Sequence, residues 1–486
     1  MSCTTLLVGK NASYDGSTMI ARNDDSGSGK FTAKKFTVVR PEDQPRHYTS
    51  VLSGVEIDLL DEPMRYTCCP NVNMKEGRWA AAGINEADVT MTATETITSN
   101  ERVLGADPLV VKTQEHPGGI GEEDIVVLVL PYIHSAREGV ERLGSLLETC
   151  GTYEMNGIAF ADHDEIWWLE TIGGHHWIAK KVPDDHYVVM PNQFGIDKFD
   201  LKDAFGEKKN HLCSPDLIAF LDQYHLALND GPVLNARYAF GSHSDADHCY
   251  NTPRAWYMLR YFNPRTHIWD GPNAEYTPFS DDLPWSMVPE RKITVEDVKY
   301  VLSSHYQGTP YDPYERHGDA AMRGAFRPIG VNRTSFLSLS QLRPEARAPF
   351  ACVEWIAFGC NAFNAFVPFY TNVDSLPAYV SGTTDRVTSE NFYWANRMIA
   401  AMADAHFAVC EPDIERYQMA VASKAYAIMA KAEREVKGDL SDADQVMLQA
   451  NEDIAAMLKK ETDDCLAKIL YTSSIHMKNA YAREDG

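Results

Sequence analysis

The chain has 486 residues, 44% of them hydrophobic, and its 69 acidic against 45 basic residues leave a formal charge of −24. With 9 Trp, 23 Tyr and 19 Phe it has aromatic area enough for one large domain plus an extension, or for two to four ordinary domains, and disorder is excluded. The acidic excess repels phosphate backbones and anionic lipid, and no stretch reaches the ~18 apolar residues of a membrane span, so nucleic-acid and membrane binders are set aside.

The first predicted strand opens on a thiol, in Cys3-Thr4-Thr5-Leu6-Leu7-Val8. It turns through Asn11-Ala12-Ser13, a sequon more simply read as turn chemistry, and returns as Thr18 to Asp25. Gly27 and Gly29 read as a loop without the lysine pattern of a phosphate cradle. Trp79 to Ile84 leads through Asn85-Glu86 into an alternating run with Val89, Met91 and Ala93 on one face. The apolar run 124–130 fits a buried strand or part of a helix, and 135–150 has helical spacing at Ala136, Val140, Leu143 and Leu147. Residues 157–190 read as a meander of four strands with hairpin-length connections, hence an antiparallel sheet.

Helices are expected over 214–228, with Pro215 just inside the start, and over 294–305, followed by strands at 335–339 and 352–358. From about Thr388 the composition shifts to Ala, Met, Glu, Lys and Asp. One long helix is expected from Pro412 to Val436, ended by Gly438, and a second from Ser441, with Asp444 completing a capping box. The ten cysteines include no CxxC pair, and no basic-then-apolar leader opens the chain. Reduced thiols and a cytoplasmic location follow as the expectation.

A thiol and an α-amine on one residue would form a self-contained nucleophile and base, since an amine titrating near ~8 accepts the thiol proton at neutral pH. Several segments carry a resemblance to that chemistry. Cys3-Thr4-Thr5, Asp15-Gly16-Ser17-Thr18 and Ala21-Arg22-Asn23-Asp24-Asp25 come first, then Gly83-Ile84-Asn85-Glu86 and the Trp167/Glu170 meander. Val188-Val189-Met190-Pro191-Asn192-Gln193, Asn251-Thr252-Pro253-Arg254-Ala255-Trp256 and Pro368-Phe369-Tyr370 complete the series in order.

Together these resemble the bacterial dipeptidase A family of cysteine N-terminal nucleophile (Ntn) hydrolases, related to secernins and more distantly to choloylglycine hydrolases and penicillin V acylases. The resemblance implies an α+β fold, the four-layer αββα sandwich of antiparallel sheets. A catalytic domain over 3–385 and a helical C-terminal extension over 386–486, packed on it, are expected. It also implies that Cys3 is the nucleophile, Arg22 stabilises its thiolate, and Asp25, with Asp24 as rival, binds the free α-amine. Asn192 would bind the oxyanion and Arg254 would complete the charge network. Small peptides, dipeptides above all, are the implied substrates, without metal or cofactor, and a homo-oligomer is expected. Because Met1 and Ser2 precede Cys3, both must be removed before the amine is free.

Three other readings stand beside this one. His243, Asp245, Asp247 and His248 fall within six residues and suit a metal-dependent hydrolase, although His305 and His317 are too isolated to complete a site. An Ntn amidase acting on non-peptide amides would share the same machinery. A non-catalytic secernin-like protein would have no chemical need for the full residue set.

Overall fold

The computed structural model describes residues 3–27, 29–93, 95–315, 318–344, 346, 348–436 and 440–478. Met1 and Ser2, expected to be removed, the expected helix stop at Gly438 and His317 lie outside the described residues.

Period-two alternation builds two antiparallel sheets. The first runs, in spatial order, Ser286–Met287, Tyr187–Met190, Thr4–Val8, Thr18–Asp25, Thr334–Leu342, Cys352–Phe358 and Val367–Tyr370. The second runs His211–Cys213, Trp177–Lys181, Ile166–Thr171, Asn156–Ala161, Thr90–Thr92 and Ala82–Ile84, with Glu95–Thr96 also paired to Asn156–Ala161. Successive side chains point to opposite faces. Leu7, Ile20, Val188 and Met190 of the first sheet therefore meet Ala159, Ala161, Trp168 and Ile178 of the second in a core between the sheets.

The alternate residues face outward onto helices. Leu6, Val8, Met19, Val189 and Leu339 lie under Thr252–Phe262, Val295–Leu302, Phe392–Ala403, Phe407–Glu435 and Ala443–Ile475. Ile158, Phe160, Trp167 and Leu169 lie under Glu122–Val129 and Ala136–Cys150. The result is helices, sheet, sheet, helices: the α+β sandwich the resemblance implied. Among the described residues no helix is long and apolar enough to cross a membrane.

Several boundaries differ from the sequence reading. The fourth strand of the expected meander, Tyr187–Met190, leaves the second sheet and pairs with Thr4–Val8 in register Thr5 opposite Met190. His211–Cys213 takes its place beside Trp177–Lys181. The acidic triplet Glu122-Glu123-Asp124 starts a helix, which settles the ambiguous apolar run: Asp124 accepts from the Gly121 N–H and caps the turn. The helix expected over 214–228 covers only Leu217–Tyr224, because His225 takes a left-handed conformation at φ 51° and stops it. The first long helix begins at Phe407, so Pro412 is its sixth residue, inside the helix, and forgoes one intrahelical bond, to the Ala408 carbonyl. The second begins at Ala443 with Asp442 at its cap and no side-chain cap bond, not with the expected capping box.

Candidate active site

Cys3 stands immediately ahead of Thr4–Val8, near the middle of the first sheet. The register Thr5 opposite Arg22 and Thr4 opposite Asn23 sets Cys3 across from Asp24. Cys3, Thr5 and Leu7 share a face, as do Ile20, Arg22 and Asp24, so the thiol and the guanidinium both project between the sheets. Extending the pairing Thr5 opposite Met190 brings Asn192 alongside Cys3 from the other neighbouring strand.

The contacts bear out that placement. Arg22 Nη2 donates to Cys3 Sγ at 3.0 Å and to Glu122 Oε1 at 2.6 Å, and lies 3.6 Å from Asp24 Oδ1. Asp24 Oδ2 takes Lys34 Nζ at 3.0 Å. The ligand atoms of Cys3, Asp24 and Glu122 all lie within 4.8 Å of one another. On the other flank, Arg254 donates to the Cys3 carbonyl, to Thr4 Oγ1 at 2.6 Å, to Asn192 Oδ1 at 2.8 Å and to Asn251 Oδ1 at 2.7 Å. Asn192 Nδ2 donates to the Thr96 carbonyl at 2.9 Å. Asp25 accepts from Thr334 Oγ1 at 2.6 Å and pairs with Arg327.

Four of the five expected site residues thus form one hydrogen-bonded set: Cys3, Arg22, Asn192 and Arg254. Asp25 enters a neighbouring pair with Arg327, and its rival Asp24 lies nearer the sulfur.

The electrostatics follow from burial. Cys3, Arg22 and Arg254 are each 0% exposed. Burial pushes the Cys3 thiol far above the ordinary range; the Arg22 charge opposes this, and Glu95, Glu122 and Asp24 add to it. Burial also raises Asp24, but Lys34 and Arg22 outweigh it and hold that carboxyl below its usual value. Arg254 is lowered to about 9 by burial and by the Arg327 charge, so it stays charged at neutral pH.

Two carboxylates in this layer were not singled out in the sequence. Glu122 is the first residue of Glu122–Val129, where the helix dipole favours an anion, and it reaches the site from the second sheet's side. Glu95 accepts from Thr5 Oγ1 at 2.7 Å and is fully buried. The available signal was three acidic residues directly before an apolar run, which marks a helix N-terminus.

The His243–His248 cluster does not converge. His248 Nε2 meets Asp281 at 2.9 Å, Asp247 accepts from Asn251 Nδ2, and His243 lies against Tyr238 with ring centroids 5.4 Å apart. A surface hollow of about 600 Å³ beside His243 and Tyr238 contains none of the residues around Cys3.

The chain matches peptidase family C69 over residues 2–420 and belongs to it. It is 52% identical to a dipeptidase of Bifidobacterium longum, with all of both chains covered. It is 45% identical to a probable dipeptidase B of Lactococcus lactis, over 98% of this chain and 97% of the other. It is also 44% identical to dipeptidase A of Lactobacillus helveticus, over 96% of each.

Proposed function

We propose that this protein is a cysteine dipeptidase whose nucleophile is Cys3 at a processed N-terminus. The observation that carries the reading is the 3.0 Å contact from Arg22 Nη2 to Cys3 Sγ at the head of a central strand. The relatives' names supply the substrate class.

Removal of Met1 and Ser2 frees the Cys3 α-amine, which takes the thiol proton as sulfur attacks the peptide carbonyl. Arg22 stabilises the thiolate against the burial that otherwise keeps the thiol neutral. The Asn192 amide, held through Oδ1 by Arg254, offers Nδ2 to the tetrahedral oxyanion, a donor worth about 3 kcal/mol of barrier. The amine returns its proton to the leaving amino group, a thioester remains on Cys3, and water releases the second amino acid. Asp25, fixed by Thr334 and Arg327, binds the freed amine. Asp24, closer to the sulfur, balances Arg22 and Lys34. Residues 3–385 form the catalytic domain in this reading, with 386–486 packed on its first sheet.

N-terminal sequencing and intact mass, run with an assay on dipeptides, test the proposal. Active protein is expected to begin at Cys3, and Cys3→Ala to abolish turnover. Full activity in a chain that still begins at Met1 or Ser2 would overturn the mechanism.

A further inference from the structure

We propose that Glu95 binds the free α-ammonium group of the substrate and so selects short peptides with an unblocked N-terminus. This rests on the cysteine-dipeptidase reading above and gives that site its specificity element.

Glu95 is 0% exposed and comes from the second sheet. Oε2 accepts the Thr5 hydroxyl at 2.7 Å, while Oε1 is buried with no hydrogen-bond partner among the described residues. A buried carboxylate oxygen left unpaired is costly, and a cation brought in by the substrate removes that cost. Glu122 also has an unpaired buried oxygen, Oε2, but its charge is matched by Arg22 at 2.6 Å, and that of Asp24 by Lys34 at 3.0 Å; among the described residues Glu95 makes no such ion pair.

The spacing suits a dipeptide. Thr5 is two residues from Cys3 on the same face, so the carboxylate on its hydroxyl stands about one strand repeat, ~7 Å, along from the thiol side. In a substrate the α-nitrogen is two bonds, ~2.5 Å, from the carbonyl carbon. Adding the ~3.3 Å approach of sulfur to carbon and a ~2.8 Å charge-assisted N–H···O contact gives a bent path that fits this span. The next residue, Thr96, accepts from Asn192 Nδ2, so Glu95 and the oxyanion donor flank the same spot. Burial pushes the Glu95 carboxyl up to about 8 although Arg254 and Arg22 oppose it, and an arriving ammonium favours the ionised form.

The test uses the processed enzyme with Ala-Ala and with propionyl-Ala, which is the same molecule with hydrogen in place of the ammonium. Wild type is expected to prefer Ala-Ala in kcat/KM by on the order of 10²–10³-fold. Glu95→Gln should reduce that preference to less than about tenfold, by losing Ala-Ala turnover while propionyl-Ala turnover is kept. Glu95→Asp, which retains the charge, should fall between them, and it carries the test if the Gln chain does not fold. An unchanged preference in either variant overturns the assignment. A wild-type enzyme that cleaves both substrates equally defeats Glu95 alone. One that cleaves neither defeats the dipeptidase reading and the assignment with it.

Discussion

Arg22 does two jobs at the residue scale. It faces the thiol, and through Glu122 it ties the first sheet to the helix beyond the second. Arg22→Gln should therefore lower kcat/KM by at least about 10²-fold and also destabilise the fold by roughly 3–5 kcal/mol, because Glu122 is left as an unpaired buried charge. Adding Glu122→Gln should recover most of that stability and none of the activity. Urea denaturation beside a dipeptide assay separates the two effects.

Cys3, Arg22, Asn192 and Arg254 were legible in the sequence because each falls in a short motif whose order could be matched. Glu95 and Glu122 were not. In a chain of net charge −24 a buried carboxylate looks like one more surface charge. Alternation carried forward from Val89, Met91 and Ala93 would also send Glu95 to the helix-covered face. The structure instead breaks the strand after Thr92 and restarts it at Glu95, whose side chain reaches Thr5 between the sheets.

Strands and turns show the same division. The motif Gly83-Ile84-Asn85-Glu86, one of those that carry the family resemblance, has a structural use. A Cβ at Gly83 would lie 1.8 Å from the Thr67 carbonyl oxygen. Asn85 donates to the Leu130 and Ile133 carbonyls and accepts from the Ala87 and Val89 N–H groups. The strand exchange at Tyr187–Met190 was illegible, since a hairpin and a crossover between layers have similar turn residues over so short a connection.

Glu170, on Ile166–Thr171, makes stability depend on pH. Its Oε1 accepts from Gly195 N at 2.7 Å and Trp168 Nε1 at 3.0 Å, and burial raises the carboxyl to about 7. A folded value above the unfolded one means that the folded chain holds the extra proton. Its contribution to stability is complete below about pH 4 and is lost as pH rises through about 7, roughly 3 kcal/mol in all. Glu170→Gln keeps the acceptor and removes the titration. Its melting temperature should fall less than that of wild type between about pH 5 and pH 8, as followed by circular dichroism.

For the whole molecule, the two long C-terminal helices continue the first sheet's core. Val367–Tyr370 is the last strand of that sheet, and an open strand edge invites pairing with another chain. Asn451, on Ala443–Ile475, covers it. Its Oδ1 accepts from Tyr370 N and its Nδ2 donates to Tyr370 O, each at 3.0 Å. The side-chain amide thus takes the place of one residue of a further strand. Asn451→Ala should cost about 2–4 kcal/mol by leaving two buried backbone groups unpaired, and it should promote aggregation on heating. Denaturant titration and light scattering check both effects. The helices themselves were evident from composition. Their docking was not, because nothing in the sequence shows that an asparagine in the middle of a helix satisfies a strand.

The clasp of Arg254 on the Cys3 carbonyl and the Thr4 hydroxyl has a further consequence. A chain end ordinarily frays, because its last peptide units have few partners to resist thermal motion. In the processed form proposed above Cys3 is such an end, yet its first peptide unit is gripped by a side chain 251 residues away in the sequence. Order that a loose terminus would have to regain at every catalytic cycle is instead fixed when the protein folds.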